Sequence, residues 1–119
     1  MKSLKKIWMD GKFVDWDQAN VHVLTHGLHY GYAVFEGIRS FRTPAGPAIF
    51  RLPEHIERFQ NSAKIYRMDL GYSSRELTKA CVDLVRMNGI DFNSIGPSSS
   101  TMITSASLTA RMMADIATR

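Results

Sequence analysis

A chain of 119 residues has the size of one domain or part of one. Its 45% hydrophobic and 22% charged content excludes a collagen-like or wholly disordered protein, and a single cysteine excludes a disulfide-stapled one. The net charge of +4 is spread rather than clustered, with bases interleaved among acids as in Glu54-His55-Ile56-Glu57-Arg58, which argues against a nucleic-acid-binding patch. No apolar run approaches the roughly 20 residues that cross a bilayer. Lys2, Lys5 and Lys6 resemble the charged start of an export signal, but Ile7-Trp8-Met9 runs directly into Asp10-Gly11, so no export is expected. Cys81 cannot form an internal disulfide, which is compatible with a reducing cytoplasm, the expected location.

The chain opens on a predicted β-hairpin. Lys6-Ile7-Trp8-Met9 and Lys12-Phe13-Val14 flank Asp10-Gly11, a strong two-residue turn signal. Residues 15–20 are polar and read as a loop. Residues 34–42, rich in β-branched and aromatic side chains, predict a strand. Thr43-Pro44-Ala45-Gly46-Pro47 must turn, and Ala48-Ile49-Phe50-Arg51 returns as a short strand. Pro53 suits the first turn of a helix, and Leu52, Ile56, Phe59, Ala63 and Tyr66 recur as one apolar stripe. A second helix begins at Ser73, with Glu76 completing a capping-box pattern. Leu77, Cys81, Leu84 and Val85 form its stripe, and Gly89 is its expected stop. Strands followed by helices predict an α+β fold: a small antiparallel sheet with a hairpin start, packed against two helices. All twelve aromatics precede residue 93, and Gly96-Pro97 is read as the end of the organised region. The expected division is a small domain over residues 1–97 and a separate tail over 98–119, either disordered or helical from about Leu108.

The residues that could carry chemistry concentrate between positions 22 and 58. Strand geometry puts Phe35, Gly37, Arg39 and Phe41 on one face, and Val34, Glu36, Ile38 and Ser40 on the other. A mid-strand glycine weakens a strand unless something approaches its backbone closely. An arginine between two phenylalanines can anchor an anion beside an apolar pocket; equally, an edge strand can send its arginine to water, which the strand alone favours slightly. Arg58 sits with Ser62 and Ile65 at the shoulder of the helical stripe, where a buried stem can carry a guanidinium fork suited to phosphate. The competing role for Arg58 is a solvated pair with Glu54, one helical turn before it, which is the better reading of an isolated arginine. His22, His26 and His29 have near-helical spacing but lack the closed ligand shell of a zinc site, so hydrogen bonding in a loop or the core is expected and no metal is assigned. His55 is placed on the helix surface. Cys81 is a packing residue by default.

The run His26-Gly27-Leu28-His29-Tyr30-Gly31-Tyr32-Ala33-Val34-Phe35-Glu36-Gly37-Ile38-Arg39 resembles the signature of branched-chain amino-acid aminotransferases, pyridoxal-phosphate enzymes of fold type IV. Ile7-Trp8-Met9-Asp10-Gly11 resembles the family's opening hairpin. Phe50-Arg51-Leu52-Pro53-Glu54-His55-Ile56-Glu57-Arg58 and Ser62-Ala63-Lys64-Ile65-Tyr66-Arg67-Met68 resemble its first long helix. The resemblance covers about residues 5 to 97 in order. Related D-amino-acid aminotransferases and aminodeoxychorismate lyases share the hairpin and the Glu-His-x-x-Arg pattern, whereas Phe-Glu-Gly-Ile-Arg favours the branched-chain enzymes.

The resemblance implies that Arg58 binds the phosphate of pyridoxal 5'-phosphate. It implies that Phe35, Gly37 and Arg39 line the substrate pocket, with Arg39 helping to hold a carboxylate. Tyr30 matches a tyrosine that the neighbouring subunit of a homodimer contributes to that pocket. The implied partners are small-molecule amino acids and 2-oxo acids, with amino-group transfer from leucine, isoleucine or valine to 2-oxoglutarate. The resemblance also implies that the cofactor-linking lysine belongs to a second, larger domain. No catalytic residue is therefore assigned among Lys2, Lys5, Lys6, Lys12, Lys64 and Lys79, and the chain is read as an inactive fragment of the small N-terminal domain. Ser94-Ile95-Gly96-Pro97 stands where the family usually has Tyr-Ile-Arg-Pro, so a ring and a second carboxylate-binding arginine are missing. No family match follows Pro97; a truncation or a frame change would account for the tail, and Thr101-Met102-Ile103-Thr104 is similar to the start of a common vector reporter peptide. The alternative is a non-catalytic binding or dimerising domain derived from the same family.

Overall fold

The computed structural model describes residues 5–88 and 101–104. The elements in chain order are β1 (Lys6–Met9), β2 (Lys12–Asp15), a short 3-10 turn (Trp16–Gln18), α1 (His26–Tyr30), β3 (Gly37–Thr43), β4 (Gly46–Ile49), α2 (Leu52–Ile65), α3 (Ser74–Met87) and β5 (Thr101–Thr104). The arrangement is α+β, with a two-stranded sheet β1-β2 and a three-stranded sheet in the order β4-β3-β5. All of the strand pairings are antiparallel.

Turn chemistry fixes both hairpins. Asp10 and Gly11 take φ of 49° and 78°, the paired positive values of the turn that matches strand twist, and Met9 pairs with Lys12 across it. The Tyr72 hydroxyl would lie 3.2 Å from a Cβ at Gly11, so close packing as well as backbone conformation requires glycine there. In the second hairpin Pro44 and Ala45 turn the chain between the paired residues Thr43 and Gly46. Thr43 Oγ1 donates to the Gly46 carbonyl at 2.7 Å and closes that turn. The returning strand therefore has the expected four residues but lies two positions earlier than 48–51, because Gly46 and Pro47 already belong to the ladder. Pro47 is tolerated because β4 lies at the sheet edge.

The helices follow the apolar stripes. Leu52, Ile56, Phe59 and Ala63 of α2 are buried, and Leu77, Ala80, Cys81, Leu84 and Val85 of α3 join them in one core with Trp8, Val34 and Ile38. Each large aliphatic side chain buried here contributes about 1.5–3 kcal/mol. Tyr66 departs from the expected stripe: it falls at the C-cap of α2, is half exposed, and stacks edge-on against Tyr32 at 5.6 Å. The capping box of α3 is complete, with Ser73 Oγ accepting from Glu76 N–H at 3.3 Å and Glu76 Oε2 accepting from Ser73 N–H at 2.8 Å. Asn88 caps the other end of α3; Gly89, the expected stop, the 94–97 segment and the region beyond Leu108 lie outside the described residues. Residues 101–104, part of the segment read as a separate tail, pair with Gly37 to Ser40 of β3.

Candidate functional site

Strand β3 and the stretch leading into it separate two chemically different faces. Val34, Glu36, Ile38 and Ser40 are buried, whereas Phe35, Arg39 and Phe41 are exposed. This is the expected period-two alternation, and it extends three residues before the strand's first ladder pair. The inner face receives α2, so Glu36 points its carboxylate into the side of the molecule that the helix covers.

A buried carboxylate requires partners, and Glu36 has several. Arg58 Nε donates to Glu36 Oε2 at 2.6 Å, and Arg58 Nη2 donates to Glu36 Oε1, giving a two-pronged charge-assisted pair. His55 Nδ1 lies 3.1 Å from the same Oε1, and the Gly37 N–H donates to it at 3.0 Å. Hydrogen bonding from Arg58 dominates and holds the Glu36 carboxyl below its ordinary value of 4.5 against the opposing effect of burial. Glu36 in turn raises Arg58 above its already high value, so the guanidinium remains charged. Arg58 itself is 66% exposed. Its competing partner from sequence, Glu54, instead accepts from Arg51 Nε at 3.0 Å.

The structure corrects two expectations. Arg58 is not paired with Glu54 one turn back; its partner lies 22 residues away on the neighbouring strand segment. His55 is not a surface residue, because its side chain is only 19% exposed and turned toward Glu36. Glu36 is the member of this cluster that the sequence reading left without a role. The available signal was a carboxylate alternating with Val34 and Ile38 on a face otherwise destined for the core.

The remaining candidates sit elsewhere. Phe35 and Arg39 project from the outer face of the strand, flanking Gly37, and Phe35 is 83% exposed. Phe41 continues that face and meets Phe50 edge-on at 6.2 Å, while Phe50 N–H donates to the Arg39 carbonyl at 2.9 Å. Tyr30 ends the short helix α1 with its side chain well exposed, and its ring makes edge and tilted contacts with His26 and His29. Arg58 is thus brought together with Glu36 and His55, whereas Phe35, Gly37 and Arg39 share the opposite face and Tyr30 stands apart on α1. Two of the three histidines of this region are engaged in loop hydrogen bonding: His22 Nδ1 accepts from Leu24 N–H at 3.1 Å, and His29 Nε2 lies 2.6 Å from the Val23 carbonyl. Among the described residues no helix is long and apolar enough to cross a membrane.

The α+β unit thus presents the Arg58 fork on one side of a strand and an aromatic–arginine face on the other. The branched-chain-amino-acid aminotransferase of Salmonella typhimurium is 46% identical over 96 residues, 81% of this chain and 31% of that protein. The crystal structure of the Escherichia coli branched-chain amino acid aminotransferase matches with a TM-score of 0.75 and 42% identity, covering 85% of this chain and 31% of that one. The T.th. branched-chain amino acid aminotransferase complexed with N-(5'-phosphopyridoxyl)-L-glutamate matches with a TM-score of 0.71 and 52% identity, covering 72% and 29%. No protein-family model matches the chain. The chain is therefore homologous to part of the branched-chain-amino-acid aminotransferases and spans about a third of the length of the curated relatives it matches.

Proposed function

We propose that this chain supplies the phosphate anchor and one wall of the substrate pocket of a pyridoxal-phosphate-dependent branched-chain amino-acid aminotransferase. The observation that carries the reading is the Arg58 fork. A guanidinium has five N–H donors, and the bonds to Glu36 use Nε and one N–H of Nη2. The end of the fork is thereby left for a second anion, on a side chain that is largely exposed. A phosphate fits that edge, and the residues present suit the cofactor to that extent.

When bound, pyridoxal phosphate supplies the electron sink for amino-group transfer. The chain's own residues bind and orient. Arg58 holds the phosphate, Phe35 offers apolar surface to a leucine, isoleucine or valine side chain, and Arg39 holds a carboxylate of the amino-acid or 2-oxo-acid substrate, 2-oxoglutarate included. Gly37 leaves open space above its backbone, where no atom lies within 4 Å of a Cβ built there, so a ligand can approach the strand closely. Tyr30, exposed at the end of α1, is suited to reach the pocket of a neighbouring subunit in a cytoplasmic homodimer.

The test is a binding comparison by fluorescence or calorimetry. The wild-type chain is expected to bind pyridoxal 5'-phosphate more tightly than pyridoxal, and Arg58→Ala is expected to abolish the difference. Equal affinity of the wild-type chain for the two overturns the proposal.

A further inference from the structure

Arg58 could hold a phosphate with any rotamer that reaches it, yet the structure commits it to one. Glu36 is buried between Val34 and Ile38 on the covered face of the strand, so its carboxylate cannot swing to solvent without disturbing the core. It is fixed independently of Arg58, since the Gly37 N–H and His55 Nδ1 both lie within 3.1 Å of Oε1. Arg58, by contrast, is the exposed, long-chained member of the pair. The stationary group therefore determines where the flexible one points. Binding along Nε and Nη2 also fixes the plane of the guanidinium, which is what a geometrically specific second ion pair requires.

We infer that Glu36 is a positioning residue: seated on the Gly37 amide and His55, it clamps the side edge of Arg58 so that the end of the fork is presented to the phosphate of the cofactor. This rests on the reading of Arg58 as the phosphate anchor. The competing role for Glu36 is charge compensation, in which the carboxylate merely neutralises Arg58 and so weakens anion binding. The two roles make opposite demands on charge and distance. Compensation survives a shorter carboxylate and is relieved by an amide. Positioning fails with either change, because Glu36→Asp withdraws the carboxylate by one methylene and Glu36→Gln replaces an acceptor oxygen with a donor facing the guanidinium.

The experiment measures binding of pyridoxal 5'-phosphate and of pyridoxal to the wild-type chain, Glu36→Asp and Glu36→Gln, with far-UV circular dichroism to check folding. Both variants are expected to lose about tenfold in affinity for the phosphorylated ligand, the low end of what an outer-shell partner is worth at metal sites. Affinity for pyridoxal should not change. A second readout needs no ligand: the Arg58 Nε–H cross-peak in a nitrogen-15 spectrum, assigned by its loss in Arg58→Lys, should be protected from exchange in the wild type and lost in Glu36→Asp. Phosphate-dependent binding that Glu36→Asp leaves intact, or that Glu36→Gln strengthens, overturns the positioning role alone, and so does an unprotected wild-type cross-peak. Equal binding of the two ligands by the wild type overturns the phosphate-anchor reading and this inference with it. Should Glu36→Gln fail to fold, Glu36→Asp and the cross-peak decide the question.

Discussion

Asn88 closes on Lys6 like one more rung of a β-ladder: its Oδ1 accepts the Lys6 N–H at 2.8 Å and its Nδ2 donates to the Lys6 carbonyl at 3.0 Å. The same Oδ1 accepts from Lys5 N–H at 2.7 Å, and Nδ2 also donates to the Leu84 carbonyl at 2.9 Å. One amide thus ties the end of α3 to the first strand and satisfies a helix-terminal carbonyl. Asn88→Ala is expected to destabilise the fold by about 2 kcal/mol, since each net hydrogen bond is worth about 0.5–1.5 kcal/mol and the bonds share two atoms. Urea denaturation checks this, and an unchanged midpoint would show that the amide contributes nothing.

The ion pair behind the proposed anchor makes stability depend on acid. The folded Glu36 carboxyl lies below 4.5, so the native state holds fewer protons on this group than the unfolded chain does. Its stabilisation is therefore fully present above the unfolded value and is lost as pH falls through the lower folded one. Wild type should lose stability progressively below about pH 4.5, and Glu36→Gln should show a shallower decline there from a lower neutral-pH starting point. Glu54 and Glu76 shift in the same direction but remain in the variant, so the difference between the two curves isolates Glu36. Parallel pH–stability curves would contradict the assignment.

Cys81 is fully buried in α3, and burial pushes its thiol up to about 12. The thiolate is the reactive form, so the residue should be inert toward a thiol reagent at about pH 8 in the native state and should react fully once unfolded. Cys81→Ser buries a hydroxyl in the same site and is expected to cost about 1–3 kcal/mol. Rapid native labelling would show that the helix opens far more readily than its packing implies.

The legible and the hidden parts of this molecule divide by sequence distance. Asp10-Gly11, Ser73 with Glu76, and the stripe from Leu77 to Val85 are local patterns, and local chemistry decides them, so each was readable. The strand's two faces were equally plain, because a period of two needs no knowledge of what packs against it. What the sequence hid was pairing across the fold. Glu54 stands one turn from Arg58 and is its obvious partner on a helix, yet Arg51 takes Glu54 while Glu36, 22 residues away, takes Arg58. His55 reads as a helix-surface residue, and only the strand segment beside it turns that position inward.

The outer face of β3 carries a separate consequence. Phe35 and Phe41 are exposed there, and the exposed Phe50 meets Phe41 edge-on, so this face carries bare aromatic surface. The chain is expected to elute in size-exclusion chromatography above the mass of one 13.4 kDa copy, with Phe35→Ser shifting it toward the monomer. A sharp monomer peak at high concentration would mean that this surface does not drive association.

Amino-group transfer by these residues alone is not expected, and the lysines give the reason. Lys6 pairs with Asp15 at 2.7 Å, Lys64 reaches Asn61 at 3.4 Å, and Lys79 pairs with Asp83. Lys5 and Lys12 stand exposed at the opening hairpin. No lysine in the described residues is held beside Glu36 and Arg58, and an amine in the family role must be a fixed neighbour of the cofactor to form a covalent link and move a proton. The chain with pyridoxal 5'-phosphate, leucine and 2-oxoglutarate should therefore show no glutamate formation above a protein-free control. It should also show no absorbance band of a lysine-linked cofactor. Turnover abolished by changing a single one of these lysines would identify a catalytic amine and overturn the expectation.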